Sequence, residues 1–186
     1  MSLFDDESFL ENIRNRQYHY FGNIVDIVGF NLYNYIMFLN SHPKEHKRWN
    51  QNKENISLLK MESRKSTPIF AKDIIFDLKE NLTLNSITCH SFSGFTETSQ
   101  SFKIHRDPMD VLYLQVVGSV VWSVWKSSVN EDTILPEQGK CIFRETFTPG
   151  DLIWIPRGTF HHVKPLSARV GFSFGVENDP NPSTYI

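Results

Sequence analysis

The sequence predicts one mainly β domain built from antiparallel strands, with N-terminal helices packed on one face. Three observations lead to this prediction. The 186 residues suit a single domain, and fifteen Phe, six Tyr and four Trp supply bulky side chains for its core. From Ser86 onward, short β-rich runs follow one another, separated by turn residues and without helical spacing between them. Two segments before Ser86 have apolar residues at helical spacing.

The first 85 residues are expected to form a helical and mixed cover for the sheet. Asp5 or Asp6 can cap a first helix that runs to about Arg16. Segment 18–28 is apolar and β-branched enough to be extended. Segment 31–40 predicts a second helix, which stops before a proline.

Segment 42–65 carries seven Lys or Arg residues. We interpret it as a solvated loop with one strand at 56–61, and a basic lip over a site or a contact to an anionic partner is the alternative. The net charge of the whole chain is −2, which provides no general attraction to nucleic acid or to an acidic membrane.

The cysteine content and the hydropathy pattern bear on the cellular setting. Cys89 and Cys141 are too few for a disulfide framework, so a reducing, cytoplasmic location is expected. The acidic N-terminus does not resemble a signal peptide. The longest uncharged run, 111–125, is shorter than the roughly 20 residues of a membrane helix and predicts two strands instead.

Eight strands are predicted after residue 85. They cover 86–92, 102–107, 111–117, 120–125, 141–147, 151–155, 161–164 and 168–176. Gly118 and Ser119 form a two-residue loop suited to a type II′ hairpin between the third and fourth strands. The series predicts an antiparallel barrel or sandwich.

The stretch 148–163 is the most informative part of the chain. A Pro-Gly turn leads into the strand 151–155, which Pro156 closes because proline cannot donate to a ladder. Gly158 provides a second tight bend and places His161 at the start of the next strand.

Upstream, His105 and Asp107 offer two further metal ligands. Positions i and i+2 of a strand project from the same face, so both side chains can bind one ion while Arg106 points away. Two His and one carboxylate on one side of an ion, with other positions open, are typical of non-haem Fe(II) oxygenases. His105, Asp107 and His161 are therefore the candidate catalytic metal site.

These motifs resemble a known family. Gly, five residues, Pro, one residue, Gly, two residues and His is similar to the second motif of the cupin superfamily, whose closing His is a metal ligand. Together with His105-x-Asp107, the run 110–118 and an aromatic residue at Trp122, it makes 86–176 similar to a Jumonji-C-type, cupin-like Fe(II)/2-oxoglutarate oxygenase. The ribosomal-oxygenase branch, whose members hydroxylate protein side chains, is the most similar.

The resemblance implies a double-stranded β-helix, also called a cupin or jelly-roll barrel. The single domain 1–186 would then consist of the cover 1–85, the barrel core 86–176 and a C-terminal tail 177–186. The cofactors it implies are Fe(II), 2-oxoglutarate as cosubstrate, and O₂. His161 rather than the adjacent His162 matches the motif, and His162 is expected to face outward or to support the substrate rim.

One position departs from the family pattern. A Lys or Arg two residues after the glycine that corresponds to Gly118 usually pairs with the distal carboxylate of 2-oxoglutarate, and Val120 occupies that position here. Related oxygenases outside the Jumonji branch place an Arg on the strand after the final His. Arg169, with Ser173 on the same face, is therefore the expected cosubstrate-binding pair, since Arg meets a carboxylate bidentately.

The last strand alternates between two kinds of residue. Val170, Phe172, Phe174 and Val176 lie on one face, and Arg169, Gly171, Ser173 and Gly175 lie on the other. Since His161 lies eight residues earlier on what is expected to be a neighbouring strand, we interpret the second face as a cavity lining. Further residues expected to line this pocket are Tyr113 and Gln115, which are also candidate cosubstrate-binding residues, together with Ser91, Ser93, Thr96 and Ser99. Turn formation and filling of the barrel are the alternative roles of these residues. The other histidines, His19, His42, His46 and His90, are expected to be surface or hydrogen-bonded residues.

The predicted function is hydroxylation of a protein side chain, a small-molecule C–H bond or a modified nucleotide. One alternative is a metal-binding cupin that does not use 2-oxoglutarate, such as an isomerase or a direct dioxygenase, which Val120 favours and Asp107 disfavours. The other is a non-catalytic barrel that binds a partner. A homodimer stays open, because the N-terminal aromatic residues can bury against the barrel or against a second subunit.

Overall fold

The structure, a computed structural model, describes residues 2–41, 47–51, 54–59, 68–82, 84–99, 102–126 and 139–178. The N-terminal part contains a 3₁₀ turn, Leu3–Asp5, and three helices in the described ranges: α1 Glu7–Arg14, α2 Leu32–Ser41 and α3 Ile69–Asn81. Asp6 caps α1 by accepting hydrogen bonds from the backbone N–H groups of Ser8 and Phe9. The two predicted helices are confirmed, and α3 is an element that the sequence analysis missed.

The described residues also contain ten strands, numbered here in chain order. They are β1 His19–Phe21, β2 Lys47–Gln51, β3 Glu54–Leu59, β4 Leu84–Gly94, β5 Asp110–Val117, β6 Val120–Trp125, β7 Cys141–Phe147, β8 Leu152–Ile155, β9 His161–Pro165 and β10 Arg169–Asn178. Seven of the eight predicted C-terminal strands are present, with ends shifted by at most a few residues. The eighth, 102–107, is reduced to one isolated bridge between His105 and His161.

The strands form two antiparallel sheets. A seven-stranded sheet has the order β1-β8-β5-β10-β4-β3-β2, and a three-stranded sheet has the order β7-β6-β9. Their facing sides enclose a second apolar cluster, distinct from the one under the helices. This arrangement is the predicted double-stranded β-helix, with the helices on one face of the larger sheet.

The predicted hairpin at Gly118 and Ser119 is wrong. β5 pairs with β8 and β10, whereas β6 pairs with β7 and β9, so the chain passes from one sheet to the other at this turn. Gly118 has a φ of 71°, and a Cβ there would collide with the carbonyl oxygen of Ala168. The glycine is needed for a crossover between sheets, not for a two-stranded hairpin. The sequence analysis also expected β9 and β10 to be neighbouring strands, and this is wrong because they belong to different sheets.

Two N-terminal expectations also need correction. Of the segment 18–28, only His19–Phe21 is a strand, because the following backbone turns and donates from Ile24 and Val25 to the carbonyl of Gly150. The segment 42–65 contains two strands, β2 and β3, which extend the larger sheet beyond β4. The role predicted for its basic side chains, and the positions of His42 and His46, lie outside the described residues, as does 179–186.

The larger sheet buries its two faces against different partners. Side chains from α1, α2 and α3 pack on the outer face, where Leu112, Leu114, Phe172 and Phe174 are fully buried. The inner face meets the smaller sheet. Cys89 is buried, Cys141 is partly buried, and both are free thiols. None of the described helices combines the length and apolar character that a bilayer span requires.

Candidate metal centre and its cavity

His105, Asp107 and His161 meet at the end of the smaller sheet. The backbones of His105 and His161 exchange two hydrogen bonds, of 3.1 and 2.9 Å, which fix the two imidazoles side by side. The Nε2 atoms of His105 and His161 lie 3.8 and 3.5 Å from the two carboxylate oxygens of Asp107. One ligand atom from each residue therefore lies within 4.8 Å of the others, which is close enough to share one ion.

The backbone also selects the tautomer of both imidazoles. Nδ1 of His105 lies 2.8 Å from the carbonyl oxygen of Lys103, and Nδ1 of His161 lies 3.0 Å from that of Thr159. A carbonyl only accepts, so Nδ1 of each ring must carry the hydrogen. In the neutral form of each ring the lone pair is then on Nε2, which faces Asp107, and this is the orientation that metal-binding histidines require.

The turn that precedes His161 also holds the segment 105–110, which carries the ligands His105 and Asp107, in place. The N–H of Gly158 donates to the backbone carbonyl of Asp107 at 2.9 Å, and the N–H of Arg157 donates to the buried carboxylate of Asp110 at 2.7 Å. The Pro-x-Gly turn thus positions both His161 and the segment that carries the other two ligands.

Burial keeps His161 neutral. Only 3% of the residue is exposed, and the pKa of its imidazole is lowered to about 4, first by burial and then by the nearby His105, although Asp107 acts in the opposite direction. The indole of Trp122 stacks on the ring at a centroid distance of 5.3 Å. Two imidazole nitrogens and one carboxylate suit a divalent transition metal such as Fe(II), so the residues fit the cofactor that the sequence predicts.

A cavity of about 190 Å³ adjoins the three candidate ligands. Phe92, Phe102, Met109, Val111 and Val163 give it apolar walls. The inner face of β10 contributes Arg169, Ser173 and Gly175, and β5 contributes Tyr113. The structure therefore brings the predicted metal ligands and three of the four predicted cosubstrate residues to one cavity.

The fourth, Gln115, lies behind the cavity and does not line it. It is fully buried and accepts a hydrogen bond of 2.7 Å from the Tyr113 hydroxyl. Arg169 is 1% exposed, and its Nη1 donates to the Tyr113 oxygen at 3.5 Å. Burial lowers the pKa of Arg169 to about 10, so the guanidinium stays cationic at neutral pH. Val120 is fully buried among the apolar residues between the two sheets.

The polar residues expected to line the cavity from β4 and from the connection after it lie elsewhere. Ser91 hydrogen-bonds Tyr35 of α2 at 2.7 Å, on the helix side of the sheet, and Ser93, Thr96 and Ser99 likewise do not line the cavity. His90 and Phe92 line it instead. His90 is opposite Ser173 in the pairing of β4 with β10, a register that sequence periodicity alone does not provide.

The expectation that His90 is a surface or hydrogen-bonded residue missed this position. His90 is only partly exposed, and burial lowers its pKa. His162 projects from the opposite face of β9 to His161, pairs in register with Ser123 and does not line the cavity. His19 hydrogen-bonds Asn12 at 2.8 Å, as predicted.

Comparison with known proteins adds a sequence family to this geometry. The model of the family described as the JmjC domain matches residues 69–183, more than half of the chain. Over 74 residues the chain is 35% identical to the bifunctional lysine-specific demethylase and histidyl-hydroxylase NO66 of Drosophila willistoni. The matched stretch covers 35% of this chain and 10% of that protein.

Several solved structures share the fold. The ribosomal oxygenase YcfD of Escherichia coli has a TM-score of 0.64 at 15% identity, over 97% of this chain and 53% of that chain. Its complex with cobalt and 2-oxoglutarate has a TM-score of 0.62 at 15% identity, over 94% and 51%. The non-heme alpha ketoglutarate dependent carbocyclase SnoK has a TM-score of 0.66 at 9% identity, over 96% and 86%. The chain thus spans about half the length of YcfD and a tenth of NO66.

Proposed function

This chain belongs to the JmjC domain family, and from that premise we propose that it is an oxygenase that uses Fe(II), 2-oxoglutarate and O₂ to hydroxylate a protein side chain. One observation carries the proposal. A His, Asp and His set with converging ligand atoms and a buried guanidinium line the same cavity. The first suits a metal that keeps open positions, and the second suits a carboxylate.

Each residue has a separate role in this proposal. His105, Asp107 and His161 hold the metal on one side, because both imidazoles are fixed through Nδ1 and present Nε2. Arg169 pairs with the distal carboxylate of 2-oxoglutarate, and the hydroxyl of Ser173 on the same face hydrogen-bonds it. The apolar walls exclude water from the reacting atoms.

The chemistry that bound Fe(II) supplies in such a site is oxidative decarboxylation of 2-oxoglutarate to succinate and CO₂, coupled to hydroxylation of a C–H bond. The protein contributes ligand geometry, orientation of the cosubstrate and a partly desolvated cavity. Because Val120 leaves the usual basic position apolar, Arg169 is the cation within the described cavity lining that can balance the distal carboxylate.

The relatives support a protein substrate. NO66 is described as a histidyl-hydroxylase, and YcfD is described as a ribosomal oxygenase. The binding of 2-oxoglutarate finds support in the structure of YcfD with cobalt and 2-oxoglutarate. The division of 1–186 into cover, core and tail stays a prediction, as does a homodimer.

Anaerobic mixing of the purified protein with Fe(II) and 2-oxoglutarate tests the proposal. We expect a visible charge-transfer band that disappears when O₂ is admitted, with formation of succinate. Metal binding without this band would indicate a cupin that does not use 2-oxoglutarate. Binding of neither would indicate a non-catalytic barrel.

A further inference from the structure

A chain of hydrogen bonds runs from a backbone turn to the guanidinium of Arg169, and its polarity can be read from the atoms involved. We propose that Gln115 and Tyr113 are positioning residues that orient Arg169 toward the cavity, and that Gln115 acts only through Tyr113. This inference rests on the proposed function, because it assumes that Arg169 binds the distal carboxylate of 2-oxoglutarate.

The orientation of the Gln115 side chain is set by two backbone carbonyls. Nε2 lies 2.7 Å from the carbonyl oxygen of Val117 and 3.1 Å from that of Gly118. Both of these groups only accept, so the amide nitrogen must face them. The carbonyl oxygen of the side chain therefore points the other way, toward Tyr113.

The Tyr113 hydroxyl must then donate. It lies 2.7 Å from Oε1 of Gln115, which has no hydrogen to give. With its single hydrogen committed to Gln115, the phenol oxygen can only accept from the other side, where Nη1 of Arg169 lies at 3.5 Å. The direction of the whole chain is fixed, and it holds one edge of the guanidinium against the cavity wall.

Close packing holds the phenol in this place. A Cβ at Gly171 would collide with the Tyr113 hydroxyl and ring, so the absence of a side chain on β10 lets the phenol lie over the strand. Tyr113 is 3% exposed, and its ring meets Trp122 edge-on at a centroid distance of 4.9 Å. The phenol oxygen therefore has little freedom to turn away from Arg169.

The network compensates for the apolar residue at position 120. An Arg side chain loses rotamer freedom when it is fixed, and that cost weakens binding unless the side chain is already held before the ligand arrives. Holding one edge of the guanidinium through Tyr113 fixes the direction of the side chain before a carboxylate arrives. The turn at Val117 and Gly118, which ends two positions before Val120, supplies the anchor.

The test measures the Kd of 2-oxoglutarate by anaerobic calorimetry on the Fe(II)-loaded protein. The variants are Tyr113→Phe, Gln115→Met, which keeps the length of the side chain, and the double variant. We expect each single variant to raise Kd about tenfold, the scale for one hydrogen bond to a charged group. The double variant should also raise it only about tenfold, because the two residues act in series. The affinity for Fe(II) should not change.

Tyr20→Phe is the matched control. Its hydroxyl lies 3.2 Å from a carboxylate oxygen of Asp151, and the residue does not line the cavity, so the Kd should stay at the wild-type value. A wild-type Kd in either single variant, or an increase of about a hundredfold in the double variant, would overturn the inference.

If Gln115→Met does not fold, the Kd of 2-oxoglutarate for Tyr113→Phe is the deciding measurement, and a wild-type value would overturn the inference. Wild-type protein that binds Fe(II) but not 2-oxoglutarate would overturn the proposed function and this inference together. Wild-type protein that binds 2-oxoglutarate, with variants that bind it equally well, would overturn the inference only.

Discussion

The two faces of β10 have opposite uses. On the outer face Val170, Phe172, Phe174 and Val176 are at most 1% exposed and pack in the apolar cluster that contains the helices. On the inner face Arg169, Ser173 and Gly175 line the cavity beside the candidate metal ligands. Because successive side chains of a strand point in opposite directions, one strand stabilises the fold and shapes the site at the same time.

On the inner face, two glycines of β10 leave space that side chains from other segments occupy. A Cβ at Gly171 would collide with Tyr113, and one at Gly175 would collide with the sulfur of Met109. The side chains from β5 and from the segment before it therefore define this wall of the cavity. Substitutions on the two faces should consequently have separable effects, on stability for the outer face and on binding for the inner face.

The largest effect is expected from removing the metal site. Asp107→Ala should abolish Fe(II) binding and turnover, because the carboxylate that faces both Nε2 atoms is lost. The Tm of the metal-free protein should hardly change. Glu97→Ala, an exposed carboxylate on the preceding connection, is the control and should keep full activity. Full turnover of Asp107→Ala in a succinate assay would exclude the proposed ligands.

A large loss of stability is expected from the outer face. Phe172 is fully buried, and its ring lies 5.7 Å from that of Phe70 and 6.3 Å from that of Phe30. Phe172→Ala should lower the free energy of unfolding by about 3–5 kcal/mol, measured by urea denaturation. Phe95→Ala, at a residue that is 52% exposed, should change it by less than about 0.5 kcal/mol. Equal losses in the two variants would contradict the assignment of faces.

On the inner face, Arg169→Ala should weaken 2-oxoglutarate binding by about 2–5 kcal/mol, the scale for truncating one partner of a buried charge pair. Calorimetry on the Fe(II)-loaded protein measures this change. Arg144→Ala removes an exposed guanidinium that donates to Ser123 on the smaller sheet, and it should leave the affinity unchanged. If Arg169→Ala kept the wild-type affinity, another cation would have to bind the carboxylate.

The smallest effect is expected on the thermal stability of the protein as the pH changes, and it involves histidines on both sides of the larger sheet. Burial lowers the pKa of His19, beside the helices, and of His90 and His161, in the cavity, below the ordinary value of 6.5. The unfolded chain then binds more protons just below pH 6.5, so stability present above this value falls as the pH decreases. The Tm of metal-free protein should be lower at about pH 5.5 than at about pH 7.5. An unchanged or higher Tm at the acidic pH would contradict this.

Local sequence patterns predicted where the strands lie along the chain better than they predicted which strands pair with each other. β7 is bounded as predicted, and the alternation of β10 identified both of its faces. The hairpin at Gly118 was wrong because a glycine with positive φ suits both a hairpin and a crossover between sheets. His90 was missed because its position depends on the register of β4 with β10. The spacing of α3 was obscured by Phe76, an aromatic residue that the helix exposes.

The candidate metal ligands were accessible from the sequence because His161 closes a motif with two turns. His105 and Asp107 were chosen by strand alternation, although the segment is not a regular strand and joins the barrel by one bridge. Gln115 was expected to line the cavity because strand alternation places it on the same face as Tyr113, whereas in the structure its amide is bonded behind Tyr113. Hydrogen-bond partners of this kind follow from three-dimensional packing and not from residue order.

The bridge between His105 and His161 has a consequence for how the molecule assembles. The residues it joins are more than fifty positions apart, so closing this loop costs chain entropy. An ion shared by Asp107 and His161 would tie the two ends of the loop as a reversible cross-link, comparable to a disulfide that can be removed with a chelator. Loading the protein with metal would then select the closed barrel from partly opened forms, and catalytic competence and resistance to unfolding would arise in one step.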